Sequence, residues 1–580
     1  MTDYKIEKFP FDSESILFWG QAEKLGANWP VVYTLSNDKE IYVGETLSAV
    51  SRLNQHLSAG AKKQLNMVQI ILNDRFNKSV CLDLESHLIR YLAADGTHLV
   101  LNANAGIQDA NYFDRDKYQK SFDDLFEMMF KHGMLSKSVP EIVNSNLFKF
   151  SPFKAVTLEQ AAALNGIIER IVEDLKADRG SQLIVQGDPG TGKTIVAIYL
   201  MKLLRDIARA SDDELLEDAS IFSEFFTPEL SKLFGSLKIA LVVPQQALRK
   251  TIEVVFSQTP GLKRDMVLTQ FEVAESKEDF DLLIVDEAHR LGQRANQNSA
   301  GLNKKFTTIN IALFGHDDKT KTQLDWIKAK SRHQLLLLDT AQSIRPGDLP
   351  LETTKGIVDS AKNSGAWFNL ASQLRVMGGT DYLAFVKEVF SENTAPAKDF
   401  NGYDLRFFDS FTDMRSEILR LDAEHGLSRL LAGFAWEYKT KKRPELFDIE
   451  LEGIKLRWNQ TVTDWVSSPT SPQEVGSIHT IQGYDLNYAG VIIGNDVGYD
   501  PVNKKVFLRR DNYFDKKGKE NNPVLGIEYS DEDVLHFVLN IYKVLLTRGI
   551  KGTFVYVCDP DLREFMRGKF PRRNSSLGSS

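Results

Sequence analysis

One run of the chain has the residue types of a phosphate cradle: Gly187-Asp188-Pro189-Gly190-Thr191-Gly192-Lys193-Thr194. It fits the pattern G-x-x-x-x-G-K-[ST] in full. Gly190 and Gly192 let the backbone wrap phosphate oxygens where a Cβ would obstruct. The N–H groups of a helix starting near Thr194 point at the anion. Lys193 brings a point charge to the β- and γ-phosphates, and the Thr194 hydroxyl is a ligand for Mg²⁺. About ninety residues on, Asp286-Glu287-Ala288-His289 closes an apolar run, at a spacing that suits a phosphate-loop ATPase. Two adjacent carboxylates at the C-terminal edge of a strand stand where open α/β sheets bind ligands. Asp286 suits the Mg²⁺ shell and Glu287 the polarisation of an attacking water. These residues imply that ATP is bound and hydrolysed.

The elements around them read accordingly. Gln182–Gln186 is a short buried strand, and Ile195–Leu204 follows as a helix. Gln160 lies on an amphipathic helix ahead of the loop, and its amide, both donor and acceptor, can read adenine's edge. Lys238–Val243 and Gln334–Leu338 are further strands. A second α/β domain is expected from Ala366.

A second group of reactive side chains lies near the N-terminus. Val31–Leu35 and Ile41–Gly44 flank a polar turn and predict a hairpin bearing Tyr33 and Tyr42. A helix over Leu47–Leu57 carries Arg52 and His56 on one face, four residues apart. Asp83–Ala93 predicts another helix, with Glu85, and Leu99–Asn104 closes the module. Phenols, a guanidinium, an imidazole and a carboxylate are the groups that phosphodiester cleavage uses. Each could equally be a strand aromatic or a solvated helix face.

Composition excludes some classes. The 580 residues are 42% hydrophobic and 26% charged, with a net charge of −8. That is globular usage, and nucleic-acid binding must come from local basic patches. Lys504–Lys519 is the strongest patch, with Arg509 and Arg510 interleaved by Phe507, Tyr513 and Phe514; it reads equally as a solvated hairpin. Cys81 and Cys558 are too few for a disulfide framework or a zinc site. No basic-plus-apolar leader and no bilayer-length apolar run are seen, so a cytoplasmic protein without a membrane partner is expected. Ser575–Ser580 is expected to stay outside the fold.

Residues 29–105 resemble the GIY-YIG endonuclease family, with Val31-Val32-Tyr33 in the GIY place and Tyr42-Val43-Gly44 in the YIG place. Val31 stands where the family has its first glycine, a position that is largely backbone. The resemblance implies Glu85 as the single Mg²⁺ carboxylate, Arg52 as phosphate stabiliser, and Tyr33 or Tyr42 as the group that orients or deprotonates water, aided by His56. Asn102 or Asn104 takes the place of the family's closing asparagine.

Residues 155–570 resemble the DUF2075 family and the superfamily 1 helicase core of Schlafen proteins. Gln160 matches the Q motif, Pro244-Gln245-Gln246 motif Ia, and Asp339-Thr340-Ala341-Gln342 motif III, whose glutamine couples the γ-phosphate to nucleic acid. Ser372-Gln373-Leu374-Arg375 resembles motif IV, Val475–Asp485 motif V and Asn540–Gly549 motif VI. Arg375 and Arg548 are thereby implied as arginine fingers arriving from the second domain.

The fold expected is α/β: a small α+β GIY-YIG nuclease domain (1–107), a helical connector (108–150), and two RecA-like domains (151–365 and 366–580). The implied activity is an ATP-dependent helicase or translocase carrying a Mg²⁺-dependent nuclease, acting on DNA more than RNA, with a role against foreign DNA. A nucleic-acid-responsive ATPase switch that gates the nuclease, or an N-terminal module that only anchors DNA, are the alternatives.

Overall fold

The computed structural model describes residues 4–23, 28–59, 62–102, 112–153, 156–210, 222–294, 297, 299–339, 342–392, 399–400, 402–461, 465–481 and 484–571. The chain forms two compact units, one of residues 1–165, 195–237 and 252–266, the other of 166–194, 238–251 and 267–580. Among the described residues no helix is long and apolar enough to cross a membrane.

The first unit is built on a five-stranded sheet of β1 (Lys5–Pro10), β2 (Val31–Ser36), β3 (Glu40–Thr46), β4 (Met67–Leu72) and β5 (Leu99–Val100), in the order β1-β4-β2-β3-β5. The β2–β3 hairpin forms as expected. Asn37 Oδ1 accepts the N–H groups of Lys39 and Glu40, both at 2.8 Å, and so shapes its turn. Strand β1 was not legible, because Lys-Ile-Glu-Lys-Phe-Pro shows no apolar alternation. It pairs antiparallel with β4 through the backbone alone.

Helix α1 (Ser13–Ala22), α2 (Ala49–Ala59) and α3 (Lys78–Asp95) complete the N-terminal layer. Helix α3 is longer at both ends than its apolar pattern indicates. The Asn77 side chain caps its start, and Gly96, at φ 74°, its end. Two apolar cores lie on the sheet, one around Leu84, Leu88 and Phe126 and one around Tyr33, Leu35 and Leu53. The connector is helical, with α4 (Arg115–Lys131), α5 (Val139–Asn144) and α6 (Asn146–Lys149). Its Phe122, Phe126 and Met129 are core.

The second unit holds a six-stranded, wholly parallel sheet. It comprises β6 (Ser181–Gly187), β7 (Ile239–Val242), β8 (Val267–Leu268), β9 (Phe280–Val285), β10 (Ser331–Leu338) and β11 (Trp367–Leu370), ordered β11-β6-β10-β9-β7-β8. A parallel sheet must be covered on both faces, which explains its near-continuous apolar strands.

Strand β11 corrects the expected boundary at residues 365/366. It pairs with β6, Trp367 beside Ile184 and Leu370 beside Gly187, so the first α/β domain runs through Leu370. The helix Gly379–Glu388 then buries Tyr382 and Val386 in the next core.

That next core lies against a seven-stranded sheet. Its strands are β12 (Asp404–Phe407), β13 (Ser428–Ala432), β14 (Ile449–Leu451), β15 (Ile454–Trp458), β16 (Glu474–Gly476), β17 (Leu486–Ile493) and β20 (Gly549–Val557). All pairs are parallel except β14 with β15. A separate antiparallel hairpin joins β18 (Val497–Asp500) to β19 (Lys505–Leu508).

Candidate functional site

The phosphate-loop residues meet at the C-terminal edge of the six-stranded sheet. Strand β6 delivers Gly187, and helix α8 (Lys193–Arg209) begins inside the loop. Asp188, Pro189 and Thr191 complete the turn, Thr191 Oγ1 donating to Asp188 O at 3.0 Å. Gly190 and Gly192 have φ of 86° and 82°, conformations a Cβ would strain. Strand β9 ends at Asp286, whose Oδ2 accepts the Thr194 hydroxyl at 2.7 Å. Lys193 donates to the carbonyls of Gly187 and Asp188 at 2.6 and 3.1 Å and lies 3.8 Å from Asp339 Oδ2. Gln342 Nε2 donates to the same Asp339 oxygen at 2.6 Å, so the glutamine after β10 is tied to the loop lysine through one carboxylate.

Two neighbouring carboxylates are held in opposite senses. Burial, then the charge of Glu287, pushes Asp286 up to about 6. Burial also works against ionised Glu287. His289, 3.0 Å away, with Lys193 and Arg290 outweighs it and keeps Glu287 below the usual carboxylate range. Glu287 sits at φ 49°, which turns its side chain out of strand register.

Two arginines reach this cleft. Arg548 is 2% exposed and donates from Nε to Val544 O at 3.2 Å. Burial, then the like charge of Arg375, pushes it down to about 9. Arg375 pairs with Asp485. The expectation that both come from the second domain needs correction. Arg375 follows the edge strand of the first sheet, within a segment that packs on the phosphate loop: Gln373 Nε2 donates to Pro189 O at 2.7 Å and Leu374 N to Gly190 O at 3.0 Å.

Gln160 is buried at the start of α7 (Leu158–Lys176). Its Oε1 accepts Thr157 N at 3.1 Å and its own N–H donates to Thr157 Oγ1 at 3.2 Å, a reciprocal helix-start pair. Gln482 and Gly483 of the motif V segment lie outside the described residues. The basic run is largely neutralised from within. Arg509 pairs with Asp559 at 2.6 Å, Arg510 with Asp531 at 2.8 Å, and Lys505 with Glu532 at 2.8 Å. Lys519 donates to the Arg510 carbonyl at 2.8 Å, and Tyr513 is buried.

The N-terminal reactive residues also converge. Tyr33 on β2 is fully buried, and its hydroxyl lies 2.7 Å from His56 Nε2 on α2. Lys62 Nζ stands 3.1 Å from His56 Nδ1 and 3.2 Å above the Tyr42 ring. An ammonium donates only, so Nδ1 accepts and Nε2–H donates to the Tyr33 oxygen. Arg52 reaches the same phenol, and burial keeps Tyr33 well above the ordinary tyrosine range. Tyr42 lies 5.4 Å from His56, ring to ring. Gly44 faces Tyr33 across the hairpin, where a Cβ would stand 2.5 Å from the phenol oxygen.

Glu85 on α3 is mostly buried. Burial, then Glu45, pushes it up to about 8 although it accepts the Glu45 N–H. Asn102 clasps β3, accepting Val43 N at 3.0 Å and donating to Val43 O at 2.8 Å. Asn104 lies outside the described residues.

Sequence reasoning missed Lys62, Glu45, Gln373 and Asp485. Glu45 directly follows Gly44 on the hairpin, which was signal enough. Lys62 sits in a polar stretch that shows no pattern.

Comparisons with known proteins agree with the second unit. The family model for the Schlafen group 3, DNA/RNA helicase domain matches residues 181–559, well over half of the chain. YPL245W of Saccharomyces cerevisiae is 26% identical over 413 residues, covering 66% of this chain and 83% of that protein. The ATP-dependent DNA helicase RecG of Streptococcus pneumoniae is 27% identical over 128 residues, which are 22% of this chain and 19% of RecG. RecG of Staphylococcus epidermidis is 26% identical over 191 residues, 30% of this chain and 28% of that protein. The chain thus spans under a third of either RecG. A crystal structure of Bacteroides Pif1 bound to ssDNA aligns over 67% of this chain and 92% of its own at a TM-score of 0.23 and 8% identity, too distant to argue from.

Proposed function

The chain belongs to the Schlafen group 3 DNA/RNA helicase-domain family, and from that premise we propose an ATP-dependent DNA helicase or translocase of superfamily 1 carrying a GIY-YIG endonuclease. One observation carries the motor half: the Thr194 hydroxyl, Asp286 and Glu287 stand together beside Lys193, with Arg375 and Arg548 in the same cleft. Thr194 and Asp286 offer hard oxygen donors 2.7 Å apart, which fits Mg²⁺. The positive-φ glycines fit a triphosphate. Mg²⁺ bound there neutralises charge on the phosphates. Glu287, kept ionised by His289, is the group that accepts the proton of the attacking water. Arg375 and Arg548 offset the charge that grows on the phosphoryl oxygens. Because Arg375 stays on the first domain and Arg548 on the second, closing the cleft brings the two guanidinium groups to one phosphate.

The nuclease half rests on the hydrogen bond between Tyr33 and His56, with Arg52 and Glu85 in one constellation. His56, oriented by Lys62, donates to the Tyr33 oxygen and favours the phenolate needed to take a proton from water. Arg52 neutralises phosphate charge. Glu85, a mostly buried carboxylate beside Glu45, is chemically suited to Mg²⁺, which supplies Lewis-acid stabilisation of the phosphate. Coupling a cutting module to a motor suits action against foreign DNA, a role that rests on the resemblance.

The test is cleavage of end-labelled single- and double-stranded DNA with Mg²⁺, with and without ATP, comparing wild type, Glu85→Ala and Lys193→Ala. The proposal requires Glu85→Ala to abolish cutting and Lys193→Ala to change its rate or its ATP dependence. Wild type that hydrolyses ATP on DNA but never cuts reduces the N-terminal module to an anchor.

A further inference from the structure

Arg290, directly after the Asp286–His289 run, is a buried cation with too few partners. Its side chain is 5% exposed, and Nη1 donates to Asp348 Oδ2 at 3.3 Å. Neither Nε nor Nη2 has a hydrogen-bond partner among the described residues. A buried guanidinium is normally matched by a close, bidentate carboxylate. Asp348 cannot supply one alone. It also accepts the Ile344 N–H at 3.1 Å and lies 3.8 Å from Arg345 Nε. The other carboxylate that acts on Arg290 is Glu287.

Asp348 belongs to a loop gripped from two sides. From the Arg290 side, Gln293 Nε2 donates to Pro346 O and Asp348 O at 3.1 and 2.7 Å, and Leu349 N donates to His289 O at 3.3 Å. From the second α/β domain, Asn540 Nδ2 donates to Ser343 O at 2.9 Å and Tyr529 OH to Pro346 O at 3.2 Å. Asn540 lies on the same helix, Asp531–Leu546, that leads to Arg548.

We propose that Arg290 is a positioning residue that links Glu287 to the loop 342–349, so that a change of charge beside Glu287 is transmitted to the second α/β domain. The two open donors are the means. When phosphate oxygens or a water proton alter the charge around Glu287, the balance of Arg290 between Glu287 and Asp348 shifts. Asp348 moves with it, and the loop carries Ser343 and Pro346 against Asn540 and Tyr529. The inference rests on the reading of this cleft as a site of ATP hydrolysis.

The experiment compares steady-state ATPase kinetics, ADP affinity and thermal unfolding of the full chain. Wild type, Arg290→Gln and the neutral pair Arg290→Met with Asp348→Leu are measured. Arg290→Gln is expected to lower kcat about tenfold or more while KM and ADP affinity stay within about threefold. A neutral apolar pair removes both buried charges and restores packing, so it is expected to recover the unfolding temperature but not kcat. Recovery of kcat to near wild type in the pair overturns the proposal and makes Arg290 a structural residue. A raised KM at unchanged kcat also overturns it, by making Arg290 a nucleotide contact. Should the pair not fold, Arg290→Lys decides: kcat above that of Arg290→Gln supports a charge-borne link, and equal kcat refutes it. If wild type itself hydrolyses no ATP, the reading of the cleft fails first.

Discussion

Gln373 lies across the phosphate loop so closely that its Oε1 stands 2.2 Å from the place of a Cβ on Gly190. Gly190 therefore meets two demands: φ of 86° and an absent side chain under Gln373 and Arg375. Gly190→Ala is expected to displace the Gln373–Arg375 segment and weaken nucleotide binding by about tenfold or more, since backbone strain adds to the clash. Gly356→Ala is the matched control. It sits in the helix Leu351–Asn363 with nothing near its Cβ position, and alanine there should stabilise by about 0.5–1 kcal/mol. Fluorescent-nucleotide titration of both variants checks the contrast.

Glu287→Gln is expected to bind nucleotide normally and hydrolyse it about 10²–10⁴-fold more slowly, the loss typical of removing a general base. Its His289 contact, an ion pair at 3.0 Å, becomes at most a neutral hydrogen bond. Burst and steady-state phosphate release separate binding from hydrolysis. A variant with wild-type turnover would remove Glu287 from the chemistry.

Arg509→Ala with Arg510→Ala is expected to leave the salt dependence of DNA binding unchanged and to loosen the hairpin region instead. Each guanidinium already neutralises a carboxylate, Asp559 or Asp531, so few counterions are released when DNA binds there. Affinity at two salt concentrations, together with hydrogen exchange over β18 and β19, distinguishes the outcomes. A flatter salt slope in the double variant would restore the patch as a contact surface.

Chemistry that is local in the chain was legible, and chemistry made by distant partners was not. The β9 run could be read because an apolar strand ending in Asp286-Glu287 advertises itself within nine residues. The hairpin could be read for the same reason, and Gly44 owes its identity to Tyr33, eleven residues away and directly opposite. The division between the α/β domains could not. Trp367–Leu370 has the look of the first strand of a new domain, and only its pairing with β6, nearly two hundred residues earlier, assigns it to the old one. Arg509 and Arg510 looked free because Asp559 and Asp531 are remote in sequence. Lys62, Glu45 and Asp485 act through tertiary neighbours that composition does not reveal. Asn102 was proposed as a closing asparagine by resemblance, and its two bonds to Val43 give that position a physical reason.

That clasp is itself testable. Asn102→Leu removes an acceptor and a donor at once and leaves the Val43 N–H and carbonyl buried without them. An orphaned buried polar group costs about 1–3 kcal/mol, so the edge of β3 should open more readily by roughly two to four. Hydrogen exchange at the Val43 amide should quicken by about thirtyfold or more, at 1.36 kcal/mol per factor of ten. Unchanged protection would mean that β3 is held by its ladder with β2 alone.

Asp496 makes stability fall as pH rises through neutrality. The residue is wholly buried, and burial pushes its carboxyl up to about 7 against the hydrogen bond donated by Tyr542 OH at 2.7 Å. In the unfolded chain the same carboxyl loses its proton near pH ~3.9. Between those values the folded state holds a proton that the unfolded state has released. Stability therefore declines with each pH increment across about 4 to 7 and levels off above, with an upper bound on the order of 4 kcal/mol. Asn is isosteric and still accepts from Tyr542. Asp496→Asn should flatten this window and raise the unfolding temperature most at pH 8, where wild type buries an ionised carboxylate. Thermal unfolding at pH 5 and pH 8 decides it: a difference between wild type and variant that is the same at both pH values would show that Asp496 ionises at its ordinary pKa.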